Sequence, residues 1–155
     1  MRRRAVLLLG VCAMVSCNSA GSSGPPLGWK QVAGTLKRAH VDVVYAGPPS
    51  RYPTIQFPPA TDLRARWVVS GSFGPAPVGT GQSAAGNVEA FGARSAEDAM
   101  HYVERGPHTG GPSFPNGLTL YWSYRNAVVI VGGVPAAGVR QEMALVKRAL
   151  TRRFG

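Results

Sequence analysis

Only two thiols occur in the 155 residues, Cys12 and Cys17, and both lie in the first greasy segment. A chain that begins at Cys17 has no second cysteine, so it holds no internal disulfide even in a compartment that permits one. Its stability must come from burial, and the 139 residues from Cys17 onward suffice for a sizeable core. Acidic side chains are nearly as scarce: seven Asp and Glu stand against seventeen Lys and Arg. Two of the seven, Glu97 and Asp98, belong to a helix start, which leaves little for paired-carboxylate chemistry of the glycosidase kind. Apolar runs long enough to cross a bilayer, about 20 residues, are missing altogether. No internal repeat is present.

What the sequence does have is a distinctive start. Arg2 to Arg4 precede an apolar run from Ala5 to Val15, too short to span a membrane but right for an export signal. Met14-Val15-Ser16-Cys17 then resembles the lipobox of bacterial lipoproteins, with Met14 where that family prefers leucine. The resemblance implies that the Cys17 thiol takes diacylglycerol and that cleavage leaves Cys17 first, with Cys12 discarded. The alternative is that Cys17 is one more small residue of the signal, with cleavage after Ala20. Residues 1–16 are therefore expected to be a lipoprotein signal peptide, and 17–28 a lipidated cysteine with a flexible Ser/Gly tether stiffened at Pro25-Pro26. Such a tether would hold the domain roughly 15–20 Å from its anchor. Residues 29–155 are expected to form one globular domain.

The net charge is +10, of which Arg2 to Arg4 account for three, leaving +7. In an exported chain that balance points to anionic lipid or wall polymer, with a protein partner also open, rather than nucleic acid. The expected location is extracytoplasmic, at the outer face of the cell membrane.

Periodicity supplies the fold class. Trp29, Val32, Leu36 and Ala39 mark a first amphipathic helix. Strands are expected at Val41–Tyr45, Arg66–Ser70, Asn87–Phe91, Leu118–Tyr124 and Ala127–Val131. The last two read as a hairpin around Arg125-Asn126, with Asn126 suited to a positive φ. "SAEDAMHYVER" is a helix capped by Ser95, with Asp98 completing a capping box and Ala96, Ala99, Met100 and Val103 buried. Val139, Met143, Val146 and Leu150 stripe the last helix. The expectation is an α+β domain: a small, largely antiparallel sheet of about five strands covered by two to three amphipathic helices. "NVEAFGARSAEDAMHYVER" and "LTLYWSYRNAVVIVGG", followed by the closing helix, resemble a class of small actinobacterial lipoproteins over Asn87 to Arg153. That class carries no assigned activity, so the resemblance implies no catalytic residue.

Chemistry is thin. Glu97, His101 and Glu104 share a helical face and could hold a divalent metal, with His108 beyond; that face is by default the solvated one. "GQSAA" at Gly81–Ala85 lacks the last glycine of a nucleophile elbow. "GPAPVGTG" has the glycines of a phosphate loop but no Lys-Ser/Thr after them. Neither a cofactor nor a catalytic residue is assigned. The definite surface features are Lys147, Arg148, Arg152 and Arg153 on the last helix. These cations also suit the negative end of its dipole. Tyr121 and Trp122 point to opposite faces of their strand and are candidate contacts. The function expected is a lipoprotein acting as a non-catalytic binding or interaction module. A wall-space hydrolase with a histidine base, His101 or His108, is the alternative.

Overall fold

The computed structural model describes residues 23–51, 58–74, 84–105 and 117–155. Helix α1 (Trp29–Arg38) leads to strand β1 (Asp42–Gly47), a 3₁₀ turn (Pro49–Arg51) and a short helix α2 (Pro58–Asp62). Strands β2 (Val68–Phe73) and β3 (Ala85–Gly92) follow, then helix α3 (Ala96–Glu104), strands β4 (Leu118–Tyr124) and β5 (Ala127–Val134), and helix α4 (Ala136–Phe154). The strands form one antiparallel sheet in the order β1-β2-β3-β5-β4. The domain is thus the α+β class that the sequence predicts.

Both faces of the sheet are covered. On the first face α1 and α4 lie over Val69, Val88, Ala90, Val129 and Val131. Val32 and Leu36 of α1 meet Val139, Met143, Val146 and Leu150 of α4 in that layer. On the second, Leu63 beyond α2 and Ala99 of α3 close over Val68, Phe91, Val128 and Ile130. This explains the unbroken apolar run of β5: a strand covered on both faces has no polar side to show, so its period-2 alternation vanishes.

Helix α2 starts at the end of the Pro-rich stretch from Gly47 to Pro59, where the sequence predicts no helix. Pro58-Pro59 hides it from a periodicity search, yet proline is tolerated in a first helical turn because the N–H it lacks would be unpaired there. It ends in a Schellman motif: Ala65 N–H donates to Ala60 O at 2.9 Å and Arg64 N–H to Thr61 O at 3.1 Å. Arg64, in the left-handed position of that motif, has φ +47°. Helix α1 ends the same way, with His40 at φ +64°. In α3, Asp98 N–H donates to Ser95 Oγ at 3.1 Å, so the expected Ser95 cap forms, while among the described residues no return bond from the Asp98 carboxylate to Ser95 N–H completes a capping box. Ala96 is exposed, however, and the packed face of α3 is Ala99, Tyr102 and Val103.

The β4–β5 turn also differs from expectation. Arg125, not Asn126, carries the positive φ (+50°). The reason is that Asn126 has other work. It is 5 % exposed, its Oδ1 accepts from Leu27 N–H at 2.6 Å, and its Nδ2 donates to Leu27 O at 3.2 Å. Trp67 Nε1 donates to the same carbonyl at 3.0 Å. Leu27 is itself 2 % exposed. The ordered fold therefore begins before Trp29, within the last residues of the stretch read as tether. Arg125 Nη1 donates to Pro25 O at 3.2 Å, and its Nη2 donates to Phe154 O, so one side chain ties the chain's entry to its C-terminal helix.

Candidate functional site: a mixed-charge cleft and a basic helical layer

The second face of the sheet is apolar at one end and polar at the other. Register places Tyr45, Ser70, Glu89, Ile130 and Tyr121 in one row across it. Glu89, on the central strand β3, is 7 % exposed. A carboxylate so placed costs free energy unless hydrogen-bonded or paired, and it acts on its neighbours. Burial, helped by the charge of Glu89, pushes the Tyr121 hydroxyl up from its ordinary value. Burial raises that of Tyr102 on α3 well above its ordinary value, with Tyr121 and Asp62 adding to the effect. A line of interacting titratable groups therefore runs from the sheet centre to the rim: Glu89, Tyr121, Tyr102 and Asp62. Strand alternation could have flagged Glu89 as unusual, because its face-mates Phe91 and Val68 are apolar. The sequence reading missed it, since a Glu between Val88 and Ala90 also fits a half-solvated strand.

At the rim this line opens into a cleft of about 430 Å³ between the end of α2, the start of β2, the end of β3 and α3. Its polar lining is Arg64, Arg66, Arg94 and Arg105 with Asp62, Asp98 and Tyr102. Local structure positions each arginine. Arg64 sits in the left-handed cap of α2, and Arg66 is held by its backbone N–H donating to Gly92 O at 2.8 Å. Arg94 directly precedes the Ser95 cap, and Arg105 follows the last turn of α3. All four are exposed, and among the described residues none of them forms an ion pair. The sequence reading missed this cleft because its arginines are spread from Arg64 to Arg105 with no common motif.

The sites expected from sequence fall as follows. Glu97 and His101 approach to 4.0 Å, but they are 75 % and 45 % exposed, and Glu104 is exposed as well. Among the described residues no group of three or more His, Cys, Asp or Glu is placed to hold a metal. The solvated face of α3 thus accounts for these residues. Cys17, Ser83 and His108 lie outside the described residues. Tyr121 and Trp122 do point to opposite faces. Trp122 stacks on Tyr124 with ring centroids 5.2 Å apart, and Lys147 Nζ lies 5.4 Å from its centroid, so two of the expected surface residues meet. Trp67, Phe73 and Tyr124 are core, while Tyr45 is half-buried.

The two helical layers differ in charge. On α1 and α4, Lys30, Lys37, Arg38, Arg140, Lys147, Arg148, Arg152 and Arg153 are all exposed, against the single acid Glu142. Arg38, Arg152 and Arg153 line a groove between these two helices. On α2 and α3 the charged residues within the helices are acids apart from His101: Asp62, Glu97, Asp98 and Glu104. No described helix is long and apolar enough to cross a membrane. No family model, curated protein or solved structure matches the chain. What the fold and surface define is a five-stranded α+β sheet domain, basic on one helical layer and cleft-bearing on the other.

Proposed function

We propose that the protein is a lipoprotein at the outer face of the cell membrane, anchored through Cys17, whose α+β domain is a non-catalytic binding module held with its basic α1/α4 layer toward anionic lipid. The observation that carries this reading is the joint made by Arg125. Pro25, within the stretch expected as tether, and Phe154, the end of α4, are held by one guanidinium. A lipid at Cys17 therefore pulls on the same corner that presents Arg152 and Arg153. Polybasic surface adds about 1 kcal/mol per Lys or Arg near an anionic membrane, which would orient a domain already held there by a diacylglyceryl anchor. On the opposite layer four acids of α2 and α3 stand against the four arginines of the cleft, so it offers such a surface no comparable excess of positive charge.

Two measurements on the full-length protein test the reading. Intact mass and membrane partitioning of wild type beside Cys17→Ala should show a diacylglyceryl increment and membrane association in the first only. Vesicles containing anionic lipid should bind a Lys147→Glu/Arg148→Glu/Arg152→Glu variant at least tenfold more weakly than wild type, given the free energy per basic residue. An unmodified, soluble wild type would overturn the anchor, and equal vesicle binding would overturn the orientation.

A further inference from the structure

We infer that the cleft between α2, β2, β3 and α3 binds a soluble polyol bearing an oxyanion, a phosphate or carboxylate, through its arginines, with the polyol hydroxyls on its aspartates. This names the ligand class of the binding module proposed above and rests on that reading.

The lining sorts by hydrogen-bonding role. Arg64, Arg66, Arg94 and Arg105 bring planar forks of N–H donors that match a phosphate or carboxylate in bidentate fashion. They come from four separate points of the chain. Two, Arg66 and Arg94, flank hydrogen-bonded ends of adjacent strands, which fixes where their backbones stand. Exposed arginines scattered over a surface repel and spread apart; four around one concavity, with none ion-paired among the described residues, leave their donors available to a guest. The Tyr102 hydroxyl keeps its proton to high pH, so it remains a donor throughout the physiological range.

Asp62 and Asp98 complete the lining as acceptors. An inorganic oxyanion alone has little to offer them, and two carboxylates weaken the site for it. A ligand whose hydroxyls donate to these carboxylates while its oxyanion meets the guanidiniums satisfies both halves. The volume, about 430 Å³, is within the range of small-molecule sites and suits one sugar-sized body. The cleft lies on the helical layer opposite α1 and α4. A ligand dissolved in the surrounding phase reaches it more readily than a headgroup in the apposed membrane.

The test is calorimetric titration of the full-length protein, in detergent solution, with glycerol 3-phosphate and gluconate. Inorganic phosphate and glycerol serve as half-ligands. Expected is saturable binding of at least one of the two polyol anions, at least tenfold tighter than either half-ligand. Arg66→Ala and Arg94→Ala should each weaken it about tenfold or more, the scale of a charge-assisted hydrogen bond. Arg94→Lys should fall nearly as far, because the charge stays while the fork is lost. Asp98→Asn should reduce the preference for the polyol anion over phosphate, and Arg148→Ala, on the far layer, should stay within twofold of wild type. Thermal melts identify any variant that fails to fold; the comparison of ligands on wild type stands without them. Absence of saturable binding, equal affinity for phosphate and the polyol anions, or equal loss in Arg148→Ala would overturn the inference. Competition by phosphatidylglycerol vesicles, which present the same glycerol phosphate on a surface, would overturn its soluble source.

Discussion

Replacing Asn126 by alanine tests how the chain's entry is fastened to the sheet. In the native protein its amide makes two bonds to Leu27, 2.6 Å from Leu27 N–H and 3.2 Å to Leu27 O, and a longer contact of 3.5 Å to Ala93 O. All of these groups are buried. A typical intramolecular hydrogen bond contributes about 1 kcal/mol net, but a buried donor left without a partner costs about 1–3 kcal/mol. Leu27 O keeps the Trp67 indole N–H as a donor, so its loss is small. Leu27 N–H keeps nothing of the kind, and its orphaning dominates. The expected cost is about 2–4 kcal/mol. Urea unfolding followed by tryptophan fluorescence measures it. Trp67→Phe supplies the decisive second arm, because it removes the other donor to Leu27 O. Alone, each substitution leaves that carbonyl one partner; together they leave none. The double variant should therefore lose more than the sum of the singles, by about 0.5–3 kcal/mol as for groups sharing one network. Additive losses, or a cost of Asn126→Ala below 1 kcal/mol, would refute the claim that Asn126 anchors Leu27 inside the core.

Two further outcomes follow from the same packing. Gly92→Ala should destabilise the domain by about 1–3 kcal/mol, read by thermal unfolding, because a Cβ at Gly92 meets the Trp67 indole at van der Waals overlap. Glu142→Gln should stabilise it at neutral pH: burial raises the Glu142 carboxyl, opposed by the nearby His40, and its Oε1 has no hydrogen-bond partner among the described residues. A folded-state value raised above the unfolded one gives stability that is present below the ordinary carboxylate range and lost as pH rises through the folded value. The advantage of the glutamine variant should accordingly be largest near pH 7 and vanish toward pH 4; a pH-independent difference would contradict the assignment.

Where an element is long and one face meets solvent, the sequence was readable; in the shorter α3 the stripe was read only in part, since Ala96 is exposed and Tyr102 packs in its place. The stripe Val139, Met143, Val146 and Leu150 is buried as its spacing demands, and Tyr121 and Trp122 part to opposite faces. Three of the features that were not readable escaped for three different reasons. Helix α2 is five residues long and opens on two prolines, so it shows no period. The left-handed residue of the hairpin turn is Arg125, because the better-suited Asn126 is recruited to a contact ninety-nine residues away in sequence. The cleft arginines come from separate turns and strand ends, and only the register of β2 with β3 brings Arg66 and Arg94 to one rim. Local propensity sees none of these long-range assignments.

The two polar features of the domain make opposite demands, and the sheet separates them. A basic layer that lies against an anionic surface gains from leaving its charges solvated until contact, as Lys37, Arg148 and Arg152 are. A small-ligand cleft gains from convergence, which raises mutual repulsion among its arginines unless acids stand nearby. Asp62 and Asp98 supply that compensation within the cleft, whereas α1 and α4 have only Glu142. Four of the seven acids thus sit in α2 and α3, on the side where the arginines converge. Neutralising Asp62 and Asp98 together should therefore loosen the rim in the absence of ligand. Hydrogen exchange at Arg66 and Arg94 reports it: faster exchange in the double asparagine variant, restored by a bound oxyanion, is the expected pattern. Exchange unchanged by the substitutions would mean that the aspartates hold ligand hydroxyls only and do nothing to keep the four guanidiniums together.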